Sequence, residues 1–189
     1  MSLHIGDTAP NFTVATTKGE IDLHQWSGDS WVFFFSHPAD FTPVCTTEMG
    51  MTAKLAAEFE ARNVKPLGLS TDTVEEHLEW VKDVDETQGV TLDFPIVADP
   101  DLKIAKLYDM IHPDQSETAA VRSVFIIDPA NKIRLVMTYP QLNSYQSNSY
   151  QLNSYQSNSY QSNSYQLNSY QLNSYQLNSY QLNSYQLNS

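Results

Sequence analysis

The chain has 189 residues, with 10 Lys and Arg against 22 Asp and Glu, so its formal net charge is −12. A balance this acidic argues against nucleic acid as a partner, because phosphate would be repelled rather than neutralised. The average hides a break: residues 141–189 are the pentapeptide Gln-Leu/Ser-Asn-Ser-Tyr repeated without a single Asp, Glu, Lys, Arg or His, so every charge lies in a globular stretch of single-domain size, residues 1–140.

Residues 11–15 and 21–23 read as a short hairpin turning at Lys18-Gly19. Residues 31–35 are a continuous apolar run, the pattern of a strand buried on both faces. A loop with Pro38 and Pro43 follows. Residues 44–62 read as one helix, with Met51, Leu55 and Phe59 recurring at i, i+4, i+8 as its apolar face. Residues 64–69 form the next strand, and 70–72 supply a helix N-cap. A second amphipathic helix follows, with Val74, Leu78 and Val81 on its apolar face and its end near Gly89. Residues 94–98 read as a short strand and 102–108 as a short helix. Residues 123–127 and 133–139 are two strands joined as a hairpin by 128–131. Helices alternating with buried strands require crossovers, so the fold class is α/β with a mixed central sheet flanked by helices. Parallel strands finished by an antiparallel hairpin make the arrangement thioredoxin-like.

Cys45 is the one cysteine, which excludes an intrachain disulfide and a Cys-rich metal site. A lone cysteine fits a reducing compartment. Residues 1–10 lack the basic and apolar regions of a signal peptide, and the apolar run at 31–35 is far too short to span a bilayer. A cytoplasmic protein with no membrane partner is expected. Cys45 falls at the start of a helix, after a buried strand and a Pro-rich loop, where α/β folds place ligands. A thiolate there faces unpaired backbone N–H groups and the positive end of the helix dipole, which lower the thiol pKa. The competing reading is a buried inert cysteine, since free Cys is among the most buried residue types.

Pro38, Thr42 and Cys45 fit Pro-x-x-x-Thr-x-x-Cys, which resembles the active-site motif of the peroxiredoxins. The longer string at 35–48, Phe-Ser-His-Pro-Ala-Asp-Phe-Thr-Pro-Val-Cys-Thr-Thr-Glu, is similar to the one-cysteine, peroxiredoxin-6-like branch of the AhpC/TSA type. Gly-Asp-Ser-Trp at 28–31, Arg-Asn-Val-Lys at 62–65, Val-Glu-Glu-His-Leu at 74–78 and Phe-Pro-Ile at 94–96 extend the likeness over nearly all of residues 1–140. The resemblance implies a thiol-dependent peroxidase acting on hydrogen peroxide and organic hydroperoxides, without cofactor or metal. Cys45 would be the nucleophile, oxidised to a sulfenic acid. Thr42 would hold the peroxide in line, Pro38 would shield the sulfur, and Arg122 would stabilise the thiolate. His37 matches a histidine that lies by the cysteine. Without the resemblance, Pro38 and Thr42 read as turn residues, Arg122 as a solvated strand-end charge and His37 as a packed or capping histidine. With no second cysteine, an external thiol reductant must recycle the sulfenic acid. The family commonly forms homodimers.

Some members of this branch carry a phospholipase-type activity attributed to a serine in the 28–31 string, a histidine and an aspartate. Ser30 and His24 match the first two, but Ala130 stands at the aspartate position, with Asp128 two residues earlier. A triad needs its third member, so Ser30 reads first as part of the turn before a strand. The resemblance stops after Pro140. The family's helix over one sheet face and the branch's C-terminal domain do not follow in this sequence, so apolar sheet surface should be exposed or covered some other way. A period of five fits neither helix nor strand. Uncharged Gln/Asn/Ser/Tyr sequence reads as disordered and prone to self-association, with a repetitive β-structure as the other reading. Such abrupt repetition looks engineered or artefactual rather than evolved. An alternative function follows: a catalytically weak truncated domain whose tail drives self-association.

Overall fold

The apolar run after residue 30 forms β3 (Trp31–Ser36), which lies between two hydrogen-bonded neighbours in the sheet. The structure is a computed structural model and describes residues 3–139. Ahead of β3 come β1 (Thr13–Thr16), β2 (Gly19–Asp22) and α1 (Leu23–Ser27). After it come α2 (Pro43–Lys54), α3 (Ala56–Ala61), β4 (Val64–Ser70), α4 (Val74–Gln88), β5 (Ile96–Ala98), α5 (Lys103–Leu107), β6 (Arg122–Ile127) and β7 (Ile133–Tyr139). The strands form one sheet in the order β2-β1-β5-β4-β3-β6-β7. β3, β4 and β5 run parallel, β6 lies antiparallel to β3, and β7 is antiparallel to β6. This is the expected mixed α/β sheet with a terminal hairpin.

Alternation along the strands sorts their side chains into two cores, one on each face. Val32, Phe34, Leu67, Leu69, Val97, Phe125 and Ile127 pack with Tyr108 and α5 on one side. Phe35 and Ile96 pack on the other with Met49 of α2 and Trp80 and Val84 of α4, and Cys45 belongs to this second core.

The helix faces differ from those expected. The helix read over 44–62 is two helices, broken at Leu55, whose φ of −91° and ψ of 11° leave the helical range. Its buried face is Cys45, Thr46, Met49, Gly50 and Ala53, whereas Met51 and Leu55 are 50% and 41% exposed. Small residues decide this, because they let α2 approach closely. A Cβ on Gly50 would lie 2.5 Å from Gln88 Cγ of α4. In α4 the buried residues are His77, Trp80 and Val84, and Leu78 is exposed. Its N-cap is Thr73, whose hydroxyl accepts from Glu76 N, one residue beyond the expected cap; Gly89 closes it in a left-handed conformation. Leu23, read as strand, instead opens α1, capped by the Asp22 carboxylate on Gln25 N.

Leu135 and Met137 of β7 are exposed. Among the described residues no helix is long and apolar enough to cross a membrane. The readings made for residues 141–189 lie outside the described residues.

The register of α2 is testable. Met49→Ala should cost about 2–5 kcal/mol, as deletion of a buried side chain does. Met51→Ala should change stability by no more than about 0.5 kcal/mol. Urea unfolding of both variants checks this; equal losses would mean that α2 is rotated from the face described.

Candidate active site

Thr42 is the N-cap of α2 and Pro43 its first residue, a position that suits proline because no helical partner is needed for its missing N–H. Cys45 therefore sits in the first turn, with its sulfur aimed into the core, fully buried. The Thr42 hydroxyl donates to Ala39 O at 3.2 Å and also bonds the thiol, and Ala39 adds a backbone hydrogen bond to the sulfur. Arg122 opens β6 from across the sheet. It is buried rather than solvated, and its Nη1 donates to the Glu48 carboxylate. Glu48 stands one turn after Cys45 in α2, and Tyr139 OH donates to its other oxygen at 3.4 Å. Burial disfavours the Arg122 charge, but the Glu48 carboxylate leads the groups that outweigh it and hold the guanidinium protonated. The thiol behaves otherwise than its helix seat suggests. Burial pushes it up, Arg122 pulls it down, Glu48 pushes it up again, and burial prevails. The lowered thiol expected from the helix seat is thus corrected, because the same packing that positions the sulfur strips it of water.

Cys45, Thr42 and Arg122 are therefore brought together. Pro38 is half-buried in the β3–α2 loop. His37 is buried and engaged: its Nε2 lies 2.8 Å from Asp40 Oδ1, and its ring lies on that of Trp80 at 4.9 Å. Trp80 Nε1 donates to Thr46 Oγ1, the residue after the cysteine, at 3.0 Å. His77 of α4 holds the other Asp40 oxygen, Nδ1 to Oδ2 at 2.7 Å. Burial would raise the Asp40 carboxyl, but hydrogen bonds from His37 and His77 hold it down at about 2. His37, Asp40 and Asp72 also lie close enough to share a cation, yet Asp40 is already bonded by two imidazoles and Asp72 accepts from Ser70 and Asp40 N.

The sequence reading did not single out Glu48, Asp40, His77 or Trp80. Two signals were available: Glu48 lies at i+3 from Cys45 in a helix, and Asp40 at i+3 from His37. The serine triad does not assemble. Ser30 is buried with its hydroxyl on Asn63 Oδ1 at 2.8 Å, His24 Nε2 meets Ala9 O at 2.8 Å, and Asp128 binds the Ala130 and Lys132 backbone and Arg134.

Residues 5–136 match the AhpC/TSA family. The chain is 54% identical over 138 residues to the 1-Cys peroxiredoxin of Dictyostelium discoideum, covering 73% of this chain and 57% of that protein. It is 48% identical over 146 residues to peroxiredoxin-6 of Gallus gallus, covering 73% and 65%. Among solved structures it resembles a cysteine-to-serine mutant of the peroxiredoxin 6 of Arenicola marina, with TM-score 0.72, 37% identity and coverage of 81% and 76%. It also resembles yeast mitochondrial 1-Cys peroxiredoxin, with TM-score 0.71, 40% identity and coverage of 87% and 83%. The chain thus spans between 57% and 65% of the length of these two curated relatives.

Asp40 has a pH signature. Its folded value lies below the ordinary carboxylate value of about 3.9, so its contribution is complete above about pH 5 and is lost as pH falls through about 2. Asp40→Asn should be less stable at pH 7 by about 3 kcal/mol, since it leaves buried partners unpaired. It should also lack about 2 kcal/mol of the wild-type loss between pH 5 and pH 2. Urea midpoints across that range check both; an unchanged acid slope would place the sensitive carboxylate elsewhere.

Proposed function

The chain belongs to the AhpC/TSA family and, within it, to the 1-Cys peroxiredoxins, and from that premise we propose that it is a thiol-dependent peroxidase acting through Cys45. The observation that carries this reading is the convergence of Cys45, Thr42 and the buried Arg122 guanidinium at the head of α2. The Cys45 thiolate attacks one oxygen of a hydroperoxide. The O–O bond breaks, sulfur takes the attacked oxygen as a sulfenic acid, and the other oxygen leaves as water or an alcohol after taking a proton. Arg122 supplies fixed positive charge to the thiolate and to the leaving oxygen in a site that excludes water. Thr42, already on the sulfur, aligns the peroxide, and Pro38 and His37 belong to the loop that closes over it.

No second cysteine is present to resolve the sulfenic acid. An external thiol then condenses with it, releasing water and leaving a mixed disulfide for a further thiol to reduce. The yeast mitochondrial relative resolves its thiol via glutathione/thioredoxin systems, which supports a reductant of that class here. The same reading has the chain working in the cytoplasm and pairing with a second copy, as members of the family commonly do.

Because burial raises the thiol, peroxide consumption should climb with pH from 7 to 9 rather than level off near neutrality. Cys45→Ser should abolish it. Arg122→Met should slow it at pH 7 by about 100-fold and carry the rising limb to higher pH. Stopped-flow assays with hydrogen peroxide, and a gain of one oxygen on the Cys45 peptide by mass spectrometry, are the measurements. Wild type and Cys45→Ser reacting equally would end the proposal.

A further inference from the structure

The active-site loop is tied to the rest of the molecule by a row of three buried hydrogen bonds. Val97 O of β5 accepts from His77 Nε2 at 3.1 Å, His77 Nδ1 meets Asp40 Oδ2 at 2.7 Å, and Asp40 Oδ1 meets His37 Nε2 at 2.8 Å. The three side chains are buried. A carbonyl only accepts, and an ionised carboxylate only accepts. Three hydrogen bonds need three protons, and only two imidazole rings and one carboxyl are there to carry them.

Counting those protons places them. Val97 O requires a proton on His77 Nε2. The Asp40 oxygens, when ionised, require protons on His77 Nδ1 and on His37 Nε2. We infer that His77 is a positioning residue, held as an imidazolium against the Asp40 carboxylate, and that this pair fixes His37 as the Nε2–H tautomer with a bare lone pair at Nδ1. The remaining nitrogen supports the assignment: His37 Nδ1 is buried and has no hydrogen-bond partner among the described residues. A proton there would be an unsatisfied buried donor, whereas an unused acceptor lone pair costs less. The low value of Asp40, about 2, agrees with the carboxylate giving up its proton to the rings.

The groups facing the row come from every element packed on it. α4 contributes His77 and Trp80, β5 the Val97 carbonyl, and the segment after β4 contributes Asp72, which accepts from Asp40 N at 3.0 Å and from Ser70 Oγ at 2.6 Å. No Lys or Arg among the described residues pairs with Asp40, so His77 is its counter-charge. The next residue, Phe41, sits in the left-handed region at φ 58°, which a bulky side chain occupies only where its surroundings dictate it. Clamping Asp40 on one side and Thr42 on the other supplies that constraint.

Resting on the peroxidase reading, the consequence is chemical. His37 brings to the β3–α2 loop one acceptor nitrogen that is dry, oriented and free of internal demand. Its chemistry suits an O–H donor, and His77 governs it from α4 through Asp40.

The test reads the resting protein by 15N NMR of the imidazole nitrogens in the reduced full-length chain at pH 7. His77 should show two protonated nitrogens, and His37 a protonated Nε2 with an unprotonated Nδ1. In Asp40→Asn the carboxamide offers one donor and one acceptor, so His77, its Nε2 proton still held by Val97 O, should accept from the amide at Nδ1 and lose its second proton, while His37 keeps its Nε2–H on the amide oxygen. A bare nitrogen on His77 in the wild type, or a wild-type His37 protonated at Nδ1, would overturn the inference whether or not the variant folds. Peroxide turnover does not enter this readout. A chain without peroxidase activity but with these protonation states would defeat the proposed function and leave the relay standing.

Discussion

The arrangement turns on one conflict: a sulfur that must carry negative charge is packed inside an apolar core. Cys45 shares that core with Phe35, Met49, Trp80 and Ile96. Removing water from a thiolate is costly, and burial dominates the balance at this residue. One guanidinium opposes it. Arg122 can do so only because β6 begins beside the head of α2 and because antiparallel pairing with β3 brings β6 across the sheet. The sheet order, with β3 between β4 and β6, is thus what gives the sulfur a counter-charge.

Arg122 is itself shared. Glu48 holds its Nη1 and simultaneously pushes the thiol up, so the residue that orients the guanidinium also draws on its charge. Such an arrangement fixes geometry more than it maximises field strength. Arg122 in a defined pose is worth more to a transition state than a stronger charge in several poses. On the other flank, Trp80 joins Thr46 of the cysteine's helix to the ring of His37. The close approach of α4 to α2 at Gly50 therefore connects the sulfur's helix to the His37–Asp40–His77 row.

β3 was legible because its continuous apolar run admits few other readings, and the terminal hairpin because two β-branched-rich stretches flank a turn. Cys45, Thr42 and Arg122 were legible together only through the family-like motif, since they come from one helix head and a strand nearly eighty positions away. The helix faces were misread for a physical reason. Counting apolar residues selects Met51 and Leu55, or Leu78 and Val81, and of these only Val81 packs on the core; burial on α2 and α4 follows close approach and paired polar groups. Gly50, Ala53, Thr46, His77 and Trp80 lie inward because small side chains admit a neighbour and because each buried polar atom has found a partner. Glu48 and Asp40 were hidden by the same logic: an acidic residue reads as solvated until its buried cation or imidazole is in view.

The edge strand carries this logic to the boundary of the sheet. Tyr139 ends β7, and its hydroxyl reaches Glu48, whose other oxygen holds Arg122. Burial pushes the Tyr139 phenol well up, so it remains a neutral donor throughout the working range. β7 also exposes Leu135 and Met137 on an edge with no further strand among the described residues. A strand on the edge of the sheet thus ends in the residue that completes the bond chain from Tyr139 through Glu48 and Arg122 to the sulfur. The guanidinium's pose therefore rests on the end of β7 at two removes, through a phenol and a carboxylate.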